Sequence, residues 1–144
     1  MATMTDDPVD YRLDDQIGYL LRLANQRHTT IFQDHTLQNL TPTQFSVMVR
    51  LEAEGKSSQN RLGRLAAMDV ATIKGVVDRL RERGLAVSEP DPDDRRRSVI
   101  SLTDEGRALL ARMRPVGLAI SEQTLAPLNP AERRTLLRLI AKLT

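Results

Sequence analysis

The sequence predicts a mainly α-helical fold carrying one small β-hairpin, and three observations predict it. Apolar residues recur at helical spacing through most of the 144 residues. The stretch from Leu80 to Gly106 breaks that rhythm with a helix stop, two short apolar runs and an acidic, arginine-rich turn between them. Aromatic residues make up only 3% and tryptophan is absent, so the core must be built from Leu, Val, Ile and Ala. A chain of this length fits one domain able to bury a core unaided.

The elements follow in order. Residues 1–11 are polar and acidic and read as a flexible tail. Leu13, Ile17, Leu20, Leu21, Ala24, His28, Ile31, Phe32 and His35 then repeat as one long amphipathic helix. Thr41, Pro42 and Gln44 form a capping box with proline in the first turn, opening a second helix whose apolar side is Phe45, Met48, Val49 and Leu51 and whose end is Gly55. Ser58 caps a short third helix with Leu62, Leu65 and Ala66, and the turn Ala67-Met68-Asp69 supplies the cap of a fourth. In that fourth helix Ile73, Val76, Val77 and Leu80 face inward, while Thr72, Lys74, Asp78 and Arg79 face out.

Gly84 ends the fourth helix in a left-handed conformation. Leu85 to Val87 and Val99 to Leu102 read as strands around a turn at Pro90 to Asp94, and Thr103 caps a fifth helix with Asp104 and Glu105 in its first turn. The fifth helix carries Ala108, Leu109, Met113 and Leu118, with a kink at Pro115. A last helix opens at Asn129-Pro130-Ala131-Glu132 and bears Leu136, Leu137, Leu139, Ile140 and Leu143, more apolar surface than a lone terminal helix needs. Two short helices with a tight turn, then a hairpin, make a winged helix-turn-helix at 41–103. Residues 12–40 and 104–144 are expected to form a dimerisation domain, because a monomer would leave their apolar faces wet.

Composition removes several functions. With no cysteine there are no disulfides, no thiolate catalysis and no Cys-based zinc finger. The few rings argue against a base-stacking platform for single strands. No apolar run approaches a membrane span and no signal segment is visible, which predicts a cytoplasmic protein. No glycine-rich phosphate loop, metal cluster or nucleophile elbow is present, so neither an enzyme nor a metal or other cofactor is expected. Charge is distributed unevenly: from Gly55 to Ile100 there are ten Lys or Arg against seven Asp or Glu, within a formal net charge of +2 for the chain. That excess suits a nucleic-acid surface and equally a solvated one.

The ordered set Val77-Asp78-Arg79-Leu80, Gly84-Leu85, Asp94-Arg95-Arg96 and Leu102-Thr103-Asp104-Glu105-Gly106 resembles the MarR (multiple antibiotic resistance regulator) family of bacterial transcription factors. The resemblance covers nearly the whole chain. It implies a homodimer whose terminal helices interlock and which binds a pseudopalindromic promoter duplex, most often as a repressor released by a small, often aromatic, ligand. Gly75 departs from it, standing where the family often carries a longer polar side chain.

In such a protein the fourth helix enters the major groove with Val70, Ala71, Thr72, Lys74 and Arg79. Arg95, Arg96 and Arg97 suit a narrow minor groove, with Asp94 holding one arginine, as the resemblance implies. Ser57, Ser58, Gln59 and Arg61 are candidates for phosphate contacts or for simple capping. His28, Phe32, His35, Phe45 and Met48 are expected either as core or as an effector pocket for a small aromatic carboxylate; hydroxylated benzoates and pyridine carboxylates come foremost because the first two helices resemble family members that control aromatic-acid catabolism. A constitutive, architectural DNA binder without an effector is the competing expectation.

Overall fold

The computed structural model describes residues 8–144, so most of the expected 1–11 tail lies outside the described residues. A 3-10 turn at Leu13–Asp15 leads into α1 (Ile17–His35), α2 (Pro42–Glu54), α3 (Gln59–Leu65), α4 (Val70–Glu82), β1 (Ala86–Pro90), β2 (Ser98–Leu102), α5 (Asp104–Thr124) and α6 (Pro130–Ala141). The expected single helix from Leu13 is therefore interrupted. Gln16 is extended, with φ −89° and ψ 133°, and the apolar rhythm continues across the break because it tracks one face rather than backbone continuity.

The core is aliphatic. Leu51, Leu62, Ile73, Leu80, Leu85, Leu109, Leu110 and Ile120 are among its fully buried members, drawn from α2 to α5 and the start of the hairpin. The hairpin is antiparallel, Ala86 facing Leu102 and Pro90 facing Ser98. Ser57 joins its edge by exchanging backbone hydrogen bonds with Ile100 at 3.0 and 2.8 Å, which ties the wing to the foot of α3. In α5 Leu118 is 75% exposed, whereas Val116 packs on the core. Leu118 lies nine residues from Leu109, half a revolution away at about 100° per residue. The helix runs through Pro115 as one element.

Local chemistry sets the elements. Both expected capping boxes form: Thr41 with Gln44, and Asn129 with Glu132. The end of α4 is a Schellman motif, with Gly84 (φ +72°) donating to the Arg81 carbonyl at 3.0 Å and Leu85 donating to that of Leu80 at 2.9 Å. The same motif ends α3, but there the left-handed position is Ala67, at φ +54°. Alanine in that conformation costs about 1–2 kcal/mol, and glycine gives back about 0.5–1 kcal/mol through its freer unfolded chain. Ala67→Gly is therefore expected to stabilise the fold by about 0.5 kcal/mol, seen as a raised denaturant midpoint at unchanged m-value.

The turn after Ala67 is tight. A Cβ on Gly63 would stand 3.1 Å from Ile73 Cγ2 and 3.2 Å from the Met68 carbonyl oxygen, so glycine allows α3 and α4 to cross closely. Among the described residues, no helix is long and apolar enough to cross a membrane.

Candidate nucleic-acid interface and adjoining cavity

The amino end of α4 presents a free surface. Asp69 caps it, Oδ1 accepting the Thr72 backbone N–H at 2.7 Å. Val70 stands 70% exposed beyond the cap, and Ala71 and Thr72 are exposed beside it. These side chains carry methyl groups on the surface, the chemistry that meets a thymine methyl. Lys74 Nζ donates to Asp78 Oδ2 at 2.8 Å, an exposed pair that a phosphate can replace. Arg79 is exposed, with its Nη1 3.4 Å from where a Cβ on Gly75 would lie, so the guanidinium folds back over the glycine.

Two carboxyl groups on this helix respond to it. The Thr72 backbone N–H, then the Thr72 side chain and the Ala71 N–H, hold Asp69 below its ordinary value of 3.8. A hydrogen bond from Lys74, then its charge and that of Arg81, do the same for Asp78. A depressed carboxyl contributes stability above its ordinary range and loses it as pH falls through the folded value. Asp69→Ala is therefore expected to lower the melting temperature at neutral pH, with the gap to the parent protein closing as pH falls through the acid carboxylate range. Thermal melts across pH check this.

The wing tip is organised by aspartates. Asp91 Oδ1 accepts from the Asp93 N–H at 2.9 Å, and Asp94 Oδ1 accepts from the Arg96 N–H at 3.1 Å. The Asp94 carbonyl takes the Arg97 N–H at 2.9 Å, and its carboxylate lies 3.9 Å from Arg96 Nε and 3.8 Å from Arg97 Nε. One acid thus steadies two arginines while Arg95, Arg96 and Arg97 all remain exposed.

Ser58, Gln59 and Arg97 come together with Asn60, Arg64 and Ser98 around a polar groove of about 520 Å³ between α3 and the wing. The sequence pointed to the first three. Asn60, Arg64 and Ser98 carried no local signal beyond polarity, because the hairpin brings residues 97 and 98 against α3. Two candidates stand apart from this groove. Ser57 is buried, its hydroxyl donating to the Ser58 carbonyl at 2.9 Å, and Arg61 Nε is held by Glu54 Oε2 at 3.1 Å.

A second feature lies between α1, α2 and α5. His28, Phe32, Pro42, Phe45, Gly117 and Ser121 are among the residues walling a cavity of about 140 Å³. An apolar cavity of roughly 150 Å³ holds a benzene-sized guest. Phe32 stands 6.3 Å from both His28 and Phe45, ring centre to ring centre. Phe45 in turn packs on Gly117, where a Cβ would come within 2.9 Å of its ring. Thr124 Oγ1 lies within hydrogen-bond distance of both the Ile120 carbonyl, at 2.9 Å, and His28 Nδ1, at 2.8 Å.

Two expected wall residues do not contribute. Met48 is fully buried in the core, and His35 is exposed, its Nδ1 bonded to its own helix at the Ile31 carbonyl, 2.8 Å away. The same Phe45, Gly117 and Ser121 also face a groove bearing Arg114 and Leu118. No cluster of three or more His, Asp or Glu side chains suited to a metal occurs among the described residues.

The MarR family pattern matches residues 40–98, from just before α2 to the start of the return strand of the wing. The HTH-type transcriptional repressor NicR of Pseudomonas putida is 44% identical over 146 residues, covering 99% of this chain and 92% of that protein. A probable transcriptional regulator from Pseudomonas aeruginosa superposes with a TM-score of 0.89 at 51% identity, covering 92% of this chain and 100% of the other. BpsR of Bordetella bronchiseptica, solved in work on regulation of its DNA binding by 6-hydroxynicotinic acid, superposes with a TM-score of 0.87 at 40% identity, covering 93% of this chain and 96% of the other. With the helix-turn-helix and wing in place, and relatives of this identity spanning nearly its whole length, the chain belongs to the MarR family.

Proposed function

We propose that this protein is a homodimeric, sequence-specific transcriptional repressor that binds pseudopalindromic promoter DNA in the cytoplasm and is released by a small aromatic acid. The observation that carries this reading is the pairing of an unpartnered recognition surface at Val70 to Thr72 with three exposed arginines at the wing tip. Methyl groups at the first read base edges in the major groove, and the arginines enter the adjoining minor groove. Ser58, Gln59, Arg64 and Arg97 line the polar groove between α3 and the wing, where hydroxyl, amide and guanidinium groups can meet phosphate oxygens.

Dimerisation is supported by surface that one chain leaves uncovered. None of the residues of α6 is buried, and Leu137 and Leu143 are 56% and 70% exposed. At the other end of the chain Leu13 and Ile17 are 52% and 62% exposed. Two copies meeting through these faces cover both and set two α4 helices one helical turn apart.

For the effector, the cavity offers two phenyl walls and one imidazole, which suits a single hydroxylated ring. BpsR, whose DNA binding 6-hydroxynicotinic acid regulates, makes hydroxylated pyridine carboxylates the first class to try. The test is DNA affinity by fluorescence anisotropy with and without 6-hydroxynicotinic acid and hydroxybenzoates. Weakened binding with at least one ring acid, lost in Phe45→Ala, supports the reading. Unaltered affinity across the panel leaves a constitutive DNA binder.

A further inference from the structure

The recognition helix is wired to the cavity wall through one shared oxygen. Arg83 is the C-cap residue of α4, at the far end of that helix from the DNA-facing turn. Its guanidinium donates to Gln44 Oε1 at 3.1 Å and to the backbone carbonyl of Gln38. Gln44 is buried in the first turn of α2, where the same Oε1 also accepts the Thr41 N–H at 3.2 Å to close the capping box. Pro42 and Phe45, which bracket Gln44 in that turn, are walls of the cavity.

The segment joining α1 to α2 is held in an unusual shape at the same point. Gln38 and Asn39 are both left-handed, at φ +48° and +54°; asparagine adopts this conformation readily, whereas glutamine holds it only where the surroundings enforce it. Enforcement comes from two sides. Thr36 Oγ1 donates to the Leu40 carbonyl at 2.8 Å with Leu40 buried, and Arg83 grips Gln38. Among the described residues Arg83 makes no ion pair, so both of its acceptors are neutral and its function is geometric. An arginine needed only for solubility has no reason to join three segments.

We infer that Arg83 and Gln44 form a relay between effector and DNA: a ligand pressing on Pro42 and Phe45 shifts the first turn of α2, and Gln44 passes that shift to α4 through Arg83. The relay rests on the ligand-sensor reading above. Arg83 acts here as a positioning residue and touches neither ligand nor DNA. A rigid turn with a bidentate grip on a second helix transmits displacement, because packed elements move as units rather than deform.

The experiment compares the parent protein with Arg83→Ala and Arg83→Lys. Three quantities are measured: DNA Kd with and without saturating 6-hydroxynicotinic acid, the Kd of that acid for free protein by calorimetry, and the urea midpoint. The relay predicts that Arg83→Ala leaves the Kd of the acid within about twofold while the ratio of DNA affinities with and without it shrinks at least about fivefold, the lower end of typical allosteric couplings. Arg83→Lys, which keeps a donor at the site, should recover part of the ratio. An unchanged ratio in Arg83→Ala overturns the relay, as does loss of ligand and DNA binding in proportion to a lowered urea midpoint. A parent protein that binds DNA but shows no response to the acid removes the sensor reading for this class, and with it the relay; the parent arm alone reveals that outcome.

Discussion

Replacing Gly106 with alanine is expected to destabilise the protein by about 3 kcal/mol, the upper end of what overpacking usually costs. Gly106 is in the first turn of α5, and a Cβ there would stand 2.1 Å from the Leu85 carbonyl oxygen and 3.0 Å from its carbon. No rotamer can relieve that overlap, since both partners are backbone. The Leu85 carbonyl is also fixed from the other side, accepting the Thr103 N–H at 3.1 Å. Thr103 Oγ1 donates to the Gly84 carbonyl at 2.7 Å and accepts the Gly106 N–H at 3.0 Å. The end of α4, the root of the wing and the start of α5 are thereby one hydrogen-bonded joint. Relief by moving the backbone breaks the joint, so the urea midpoint should fall sharply and the wing should lose its fixed angle to α4. A loss under about 1 kcal/mol would show that the joint is softer than its geometry.

The second large effect falls on DNA affinity. Converting Arg95, Arg96 and Arg97 together to alanine is expected to weaken duplex binding by at least about 100-fold at moderate salt, and to flatten the slope of log K against log salt by close to 0.9 for each phosphate charge no longer neutralised. Folding stability should hardly change, because all three side chains are exposed and Asp94, which pairs with Arg96 and Arg97, is exposed as well. Asp94→Ala is a useful companion: it keeps every positive charge but removes the acceptor that orders the turn. A wing that works through preorganised arginines loses affinity in Asp94→Ala without a change in salt slope. A wing that works through charge alone gains affinity in it.

Much of this architecture was legible in the sequence because it is written in local chemistry. Thr41 with Gln44, Asn129 with Glu132, Asp69 before Thr72 and Gly84 after Arg83 are each decided within a few residues, and each appears as the caps and turns their side chains dictate. What the sequence could not show depends on residues far apart. Arg61 is drawn to Glu54 on the preceding helix, Arg64 joins the wing across a gap in sequence, and Arg83 finds Gln44 only because α2 and α4 pack together. Gly106 was visible as a letter in the Thr103-Asp104-Glu105-Gly106 run, yet nothing local said why a glycine belongs inside a helix. Within α5 the 100° step puts Val116, not Leu118, on the Leu109 side. Ala67 was legible as a turn but not as a left-handed one, since alanine gives no hint of positive φ.

The same distinction runs through the candidate sites. The surface of α4 and the wing tip are single-element features, and their exposed residues follow from periodicity and turn position. The cavity is a three-helix feature, so which of His28, Phe32, His35, Phe45 and Met48 share it depended on packing; His28, Phe32 and Phe45 do, while Met48 lies in the core and His35 on the surface.

Two copies of this chain are proposed to read one duplex through paired α4 helices and wings. The most direct measurement is to sequence the DNA that purified, full-length protein selects from a random duplex pool. The expected product is a pseudopalindrome whose half-sites are centred about one helical turn, roughly 10 base pairs, apart, with thymines facing Val70 to Thr72 and A·T-rich flanks under the wings. Enrichment of a single asymmetric site, or of no sequence at all, would contradict it.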